Sequence, residues 1–321
     1  MTKCTGDVNV VPSRVSVIVA THNGHATLER CVSSALAQAG DVECVVVDDG
    51  SDDATADLLR SLAGRHHRLR VLHNEVPSGR PAAPRNQGVQ EAASGEFLIF
   101  LDDDDELCEG AVALHRHTIA TAAVSYGDAI VDDGVTRGRA SRLWGVGMDL
   151  PELCERNARP LHAMMIRRSW FERVGGFDER LRALEDWHLW LRVALDGGAF
   201  VSVAAVVCIY YPRPASESHW RSPAMALVEP TSKAAMLADL SARFPSSKRM
   251  LQPYLRLARI RLAEVRESAE RENGGPSLLW RVQEAAFVLR DAGVGVGTVA
   301  YGAKSAVRHV RRRPSRAPLH S

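Results

Sequence analysis

The chain predicts an α/β fold, with a mostly parallel sheet flanked by helices and a helical appendage at the C-terminus. Three observations carry that reading. Short apolar, β-branched runs alternate with segments of helical spacing over roughly the first two thirds of the chain. The runs are apolar throughout, as in strands covered by helices on both faces. From about residue 222 onward strand patterns disappear and Ala, Leu, Arg and Glu dominate.

The elements follow in order. Residues 15–20 form a β-branched strand that Thr21, His22, Asn23 and Gly24 break. Residues 26–38 then place Leu28, Val32, Ala35 and Leu36 on one helical face. A second strand, 44–47, ends in Asp48, Asp49, Gly50, Ser51, Asp52 and Asp53. The next helix carries Leu58, Leu59 and Leu62, and a short strand at 70–73 leads into a loop rich in Pro and Gly. A helix is expected at 85–93, then the apolar strand 97–101 and the acidic run Asp102, Asp103, Asp104, Asp105 and Glu106.

Beyond it the pattern predicts a helix at 108–121, one or two strands at 122–132, and an irregular Gly- and Arg-rich region at 137–149. A strand at 160–167, a helical turn at 169–174, a helix opening on Glu185 with Leu184, Leu191 and Leu195 as its core face, and a buried strand at 200–211 complete the domain. Helices are expected at 223–242, 248–270 and 276–291, separated by Pro-Ser and Gly-Gly breaks. The organisation expected is a flexible N-terminus (1–14), a main domain (15–221), a helical region (222–307) and a basic tail (308–321).

Composition narrows the class. With 321 residues, 45% apolar and 25% charged, the chain is an ordinary globular protein, and its formal charge of +1 gives no reason to expect nucleic acid as partner. Cys4, Cys31, Cys44, Cys108, Cys154 and Cys208 lie far apart with no CxxC pair, which points to a reducing cytoplasm rather than a disulfide framework or zinc site. Residues 1–14 lack the apolar core of a signal peptide, and no apolar run reaches the length of a membrane span. A cytoplasmic location is expected. The basic end at 308–316 follows a weakly apolar segment that can lie on an anionic membrane surface, while a solvated tail is the alternative.

The chemistry concentrates at strand ends. Four consecutive aspartates repel one another, and a divalent cation such as Mg2+ or Mn2+ removes the conflict, because carboxylate oxygens are its preferred ligands. Thr21 and Asn23, then Asp48 and Asp49, then Asp102 to Asp105 all fall at carboxyl ends of expected strands, where open α/β sheets bind ligands. Turn chemistry explains any one of these groups, but all three together less well. Neither G-x-G-x-x-G nor a P-loop follows the first strand, which argues against a dinucleotide oxidoreductase or a P-loop enzyme.

VSVIVATHNG (15–24), VVVDDGSDDAT (45–55), GRPAAPRNQG (79–88) and FLIFLDDDDEL (97–107) together resemble the ordered motifs of the inverting, metal-dependent GT-A glycosyltransferases of the large bacterial family 2 type. The resemblance extends from about residue 15 to residue 211. It implies that the Thr21–Asn23 turn and Asp49 contact the nucleoside, with Asp49 accepting from a uracil-type base. Asp102 and Asp103 would stand on the nucleotide side, Asp102 facing the ribose. Asp104, in the DXD motif with Asp102, would bind the Mg2+ or Mn2+ that bridges the diphosphate, with Asp105 in support. Arg85 and Asn86 match the family's Arg-Asn pair near the nucleotide, although Pro84 stands where a small residue is usual.

Gly175, Gly176, Phe177 and Asp178 resemble the acceptor-side loop, before a helix in which Asp186 is the general base and Glu185, Trp187 and His188 lie on the acceptor side. The family's usual Asp is replaced by His188 here, and a dipole-favoured helix start also accounts for Glu185 and Asp186. His219 is either a further metal or phosphate ligand or a surface histidine. The expected reaction moves a sugar from a nucleotide diphosphate sugar, UDP- or dTDP-linked, to an acceptor hydroxyl with inversion. The alternatives are a nucleotide-sugar-binding protein without turnover and a sugar nucleotidyltransferase. The latter usually carries a Gly-rich loop with Lys or Arg near the first strand, which residues 21–24 do not resemble.

Overall fold

The computed structural model describes residues 13–132, 134, 139–140, 147–157, 159–181, 183–212 and 225–272. It divides into two compact units, Met1–Ser232 and Lys233–Ser321. The first holds one sheet: β1 (Val15–Thr21), β2 (Val42–Asp49), β3 (Leu69–Asn74), β4 (Phe97–Asp102), β5 (Glu106–Leu107), β6 (Val124–Val131), β7 (Arg139–Ala140), β8 (Met164–Arg167) and β9 (Phe200–Tyr210). Their order is β3-β2-β1-β4-β8-β6-β9-β5, with β7 against β6.

The first four strands run parallel, as expected, and the rest of the sheet is mixed. β8 is antiparallel to both β4 and β6, while β9 runs parallel to β6 and antiparallel to β5. β1 and β2 are buried nearly end to end, which is why their sequences are apolar rather than alternating. Their ends are in register: Thr21 pairs with Asp48, Ala20 with Asp102, Asp48 with His73 and Asp49 with Asn74. The polar groups therefore share one rim of the sheet.

α1 (Leu28–Leu36) lays Leu28, Cys31, Val32, Ala35 and Leu36 on the sheet, as its spacing predicts. α2 (Thr55–Arg65) buries Leu59 and Leu62, and Asp53 accepts from the Thr55 backbone N–H at 2.8 Å to start it. α3 (Ala82–Gln87) begins earlier than the expected helix and runs into a π-helical turn at Gly88–Ala92. Pro84 fits because it lies in the first turn, where the missing N–H has no helical partner to lose.

α4 (Ala111–Ile119) precedes β6, and α5 (Leu150–Glu155) follows β7. The expected strand at 160–167 is instead a 3-10 turn, Leu161–Ala163, and the short β8. α6 (Arg168–Arg173) leads to the Gly-Gly loop, and α7 (Glu185–Leu195) is more enclosed than its leucine spacing predicts, with every residue from Trp187 to Val193 buried.

α8 (Met225–Arg243) and α9 (Lys248–Glu272) match two of the three expected C-terminal helices. In the second unit Met236, Leu237, Leu240, Leu251, Leu255 and Ala258 are buried at helical spacing. The third helix expected at 276–291, the basic tail, His219 and most of the irregular region at 137–149 lie outside the described residues. Among the described residues no helix is long and apolar enough to cross a membrane, and Cys31, Cys44, Cys108 and Cys208 are free thiols.

Candidate active site

The carboxyl ends of β1, β2 and β4 hold the first group of side chains. Thr21 donates to Asp103 Oδ2 at 2.6 Å, tying the end of β1 to the acidic run. Gly24 makes that approach feasible, since a Cβ there would sit 2.2 Å from Thr21 Oγ1 and 2.4 Å from Asp103 Oδ2. Asn23, at φ +57°, exchanges hydrogen bonds with Asp52, donating to its carboxylate at 2.8 Å and accepting from its N–H at 3.0 Å. Asn23 thus joins two loops at the rim.

Asp49 is buried and accepts from Asn74 Nδ2 at 3.0 Å and from the N–H and hydroxyl of Ser78 at 2.8 and 2.7 Å. With about four lone-pair directions on a carboxylate, these contacts leave about one free. Asp48 accepts from Ser51 N–H at 3.1 Å and lies 3.0 Å from His73 Nδ1, so it serves the turn.

Arg85 crosses from this group to the second. Buried beside Phe177, it donates from Nη2 to Asp102 Oδ1 at 2.5 Å and from Nη1 to Glu185 Oε1 at 2.8 Å. Asn86 does not stand with it at the rim. Its side chain donates to Phe177 O at 2.9 Å and Glu179 Oε1 at 2.8 Å and accepts from Phe177 N–H at 2.9 Å, so it fastens α3 to the Gly-Gly loop. Gly176, at φ +66°, is required there, because a Cβ would come 2.8 Å from Asn86 Oδ1. Arg192 holds the same loop by donating to the carbonyls of Val174 and Gly176, both at 2.5 Å.

Asp186 opens α7 next to Glu185. It accepts from Asn157 Nδ2 at 2.7 Å and from the Trp187 N–H at 2.7 Å. Burial, then the neighbouring Glu185 charge, pushes its carboxyl up to about 6, while the Asn157 bond pulls the other way. A carboxylate poised there accepts a proton far better than an ordinary aspartate. Asn157→Ala removes the opposing bond, worth about 1.5–3 kcal/mol to a charged acceptor, so the acid limb of a pH–rate profile should move up by about one pH unit or more. An unmoved limb would show that Asp186 does not govern it.

Two acceptor-side expectations meet a different arrangement. Trp187 is buried and donates its indole N–H to Leu153 O at 2.5 Å, pinning α7 to α5. His188 is fully buried with Nδ1 3.9 Å from Asp178 Oδ2. Both rings are buried, whereas Glu185 and Asp186 at the helix start keep partial exposure.

The acidic run divides by depth. Asp102, Asp103 and Asp104 are partly exposed, and Arg30 donates to the Asp104 carbonyl at 2.6 Å. Asp105 is fully buried, accepting from Tyr211 N–H at 2.7 Å through Oδ1. Burial, followed by the Asp102 and Asp104 charges, pushes its carboxyl well up. One ligand atom each of Asp102, Asp105 and His162 lies within 4.8 Å of the others. Asp105 Oδ2 and both ring nitrogens of His162 make no hydrogen bond, so the donor set suits a cation.

His162 was not singled out by the sequence, nor were Asn157 and Ser78. A lone histidine inside the apolar stretch LHAMMI is the one signal that could have flagged the first of these.

The sequence pattern of Glycosyl transferase family 2 matches residues 16–175. A PGL/p-HBAD biosynthesis glycosyltransferase of Mycobacterium bovis is 33% identical over 183 residues, covering 55% of this chain and 68% of that protein. The chain belongs to glycosyltransferase family 2. Among solved structures, the family 2 chain resembles the mannosyltransferase PcManGT of Pyrobaculum calidifontis, in complex with GDP-Man and Mn2+. The TM-score is 0.59 at 21% identity, over 95% of this chain and 89% of that one. It also resembles S. aureus TarS 1-349 in complex with UDP-GlcNAc, with a TM-score of 0.56 at 20% identity, over 78% of this chain and 71% of that one. At these identities the likeness establishes the GT-A fold. The activity class is that of a glycosyltransferase.

Proposed function

We propose that this family 2 glycosyltransferase moves a sugar from a nucleoside diphosphate donor to an acceptor hydroxyl by direct, metal-assisted displacement with inversion. One observation carries the reading: Arg85 bridges Asp102 at the end of β4 to Glu185 at the start of α7. The acidic run is thereby tied to the start of α7, where Asp186 follows Glu185. Direct displacement needs one carboxylate base, unlike the paired carboxylates of glycoside hydrolysis.

Asp186 takes the proton from the acceptor hydroxyl, and Asn157 orients its carboxylate. Thr21, Asn23 and Asp49 hold the nucleoside end, with Asp102 and Asp103 beside the sugar-phosphate side. A divalent cation, Mg2+ or Mn2+, would be held by the acidic run, Asp104 first, and would offset the charge that develops on the leaving diphosphate. PcManGT was solved with GDP-Man and TarS with UDP-GlcNAc, so the fold itself accepts either base. Asp49 favours uracil or thymine here, because its one remaining acceptor direction matches their single N3–H, whereas guanine presents two N–H donors on that edge.

Release of free nucleoside diphosphate from UDP-, dTDP- and GDP-sugars, with and without EDTA, tests the reading. Metal-dependent release from a uridine or thymidine donor is expected, and binding without release would make the chain a donor-binding protein. Asp49→Ala should lose the base preference at a cost of about 1.5–3 kcal/mol, seen as weaker UDP binding by calorimetry. Tightest binding of GDP to the unaltered protein would overturn the uracil assignment.

A further inference from the structure

We propose that His162 is a metal ligand, forming with Asp102 and Asp105 a divalent-cation site that fills before the donor arrives and prefers Mn2+ to Mg2+. The proposal rests on the metal-assisted reading above and adds to it a nitrogen ligand and an order of binding.

The sheet itself brings the three groups together. β8 runs antiparallel to β4 with Ile99 opposite Met165 and Leu98 opposite Ile166. Continuing that register past Ile99 sets Asp102 opposite His162, on the 3-10 turn that precedes β8. His162 Nδ1 lies 3.2 Å from Asp105 Oδ2 and 3.9 Å from Asp102 Oδ2. Two ligands about 2.1 Å from one octahedral cation, in adjacent positions, are about 3.0 Å apart, so these spacings need little adjustment. The imidazole stacks on Tyr210 with ring centroids 5.9 Å apart, which fixes its plane.

The partner accounting points the same way. His162 is 1% exposed and Asp105 0%, yet both ring nitrogens and Asp105 Oδ2 make no hydrogen bond. Each such buried polar atom costs about 1–3 kcal/mol if left unsatisfied. A direct His–Asp hydrogen bond would relieve one nitrogen and one oxygen, but at 3.2 Å the two groups are not aligned for it. A shared cation relieves Nδ1 and Oδ2 at once. Arg85 occupies Asp102 Oδ1 and so leaves Oδ2, the atom nearer the cluster, for the ion. The side chain of Asp102 is 34% exposed, which opens the cluster to solvent.

The consequences are chemical. Mg2+ is usually held by one or two carboxylates completed by substrate phosphates, and binds poorly before the phosphates come. Three protein ligands remove that dependence, and an imidazole among them favours a transition metal over Mg2+. Asp104, further out on the run, then adds to the shell when the diphosphate arrives.

The test uses the full, metal-stripped chain without nucleotide. Mn2+ titration followed by the free-ion EPR signal should show a single bound ion that excess Mg2+ displaces poorly, and spin-echo spectra should show 14N coupling from an imidazole. His162→Gln should weaken nucleotide-free Mn2+ binding by about 100-fold, at the upper end of what disturbing a metal's surroundings costs. No Mn2+ bound to the folded chain, bound Mn2+ without 14N coupling, or equal binding by His162→Gln would each overturn the proposal. Should the variant fail to fold, the 14N coupling of the unaltered protein decides alone. UDP binding with saturating Mn2+ is measured separately. If it persists while nucleotide-free binding is absent, the ligand assignment fails and the glycosyltransferase reading stands. If both are absent, the metal-assisted reading falls with it.

Discussion

Asp186→Asn should lower sugar transfer by about 10²–10⁴-fold while leaving donor affinity nearly unchanged, because in the proposed mechanism it removes the base for the acceptor hydroxyl. The variant keeps the shape of the side chain. Asn157 Oδ1 is buried without a hydrogen bond, so a flipped Asn157 amide can accept from the new side-chain NH2. The thermal response separates this role from helix capping. The Asp186 carboxyl sits near 6 in the folded chain against an ordinary value of 3.8, so the folded state holds the proton more tightly. Between those values stability falls as pH rises, and above about 6 the full cost of the buried charge is present. Asparagine abolishes that cost. The variant should therefore melt above the unaltered protein at pH 7.5, and the difference should shrink toward pH 4. A cap would behave oppositely, with lower melting and a normal rate per folded molecule. Near-normal transfer by a folded Asp186→Asn protein would make Glu185 or His188 the next candidate.

Arg85→Met should have the largest effect on stability. It removes the shared partner of Asp102 and Glu185 while keeping most of the side-chain volume. Removing one member of a buried ionic group costs about 3–5 kcal/mol, and the partial exposure of Asp102 puts the expected loss near the lower figure. For a domain of this size that corresponds to a fall of roughly 6–12 °C in Tm. Transfer should drop further than stability accounts for, since Glu185 and Asp186 lose their tie to the acidic run. Arg85→Lys retains the charge without the planar fork and should fall between the two. A variant that melts and turns over like the unaltered chain would remove Arg85 from the site.

Much of the first half of the fold was legible, because βαβ units write themselves locally. The apolar runs of β1, β2 and β4, the helical spacing of Leu28, Val32, Ala35 and Leu36, and the polar strand ends each lie within one short window. What escaped depends on contacts made far along the chain. His162 acquires meaning only when β8 pairs antiparallel with β4, and Asn86 only when it meets Phe177, 91 residues away. Trp187 and His188 were read from a motif at a helix start, but the enclosure of α7 turns their rings inward. The two-residue β5 and the π-helical turn after α3 have no periodicity to detect. The site's acidic run was plain for a different reason: adjacent like charges are costly, so their presence is informative by itself.

The Asn86 side chain has a consequence for engineering. Its amide reads the Phe177 backbone from both sides, donating to the carbonyl and accepting from the N–H, as a neighbouring strand would. Exposed positions tolerate a change of chain best, and Gly175 and Glu179 are exposed. A splice between Gly175 and Glu179 would nevertheless sever a cross-brace made by the buried Asn86 and Phe177. A chimera should carry residues 82–88 together with 174–180 as one cassette, matched as a pair from the same parent. Grafts that split the pair should misfold, however similar their loop lengths.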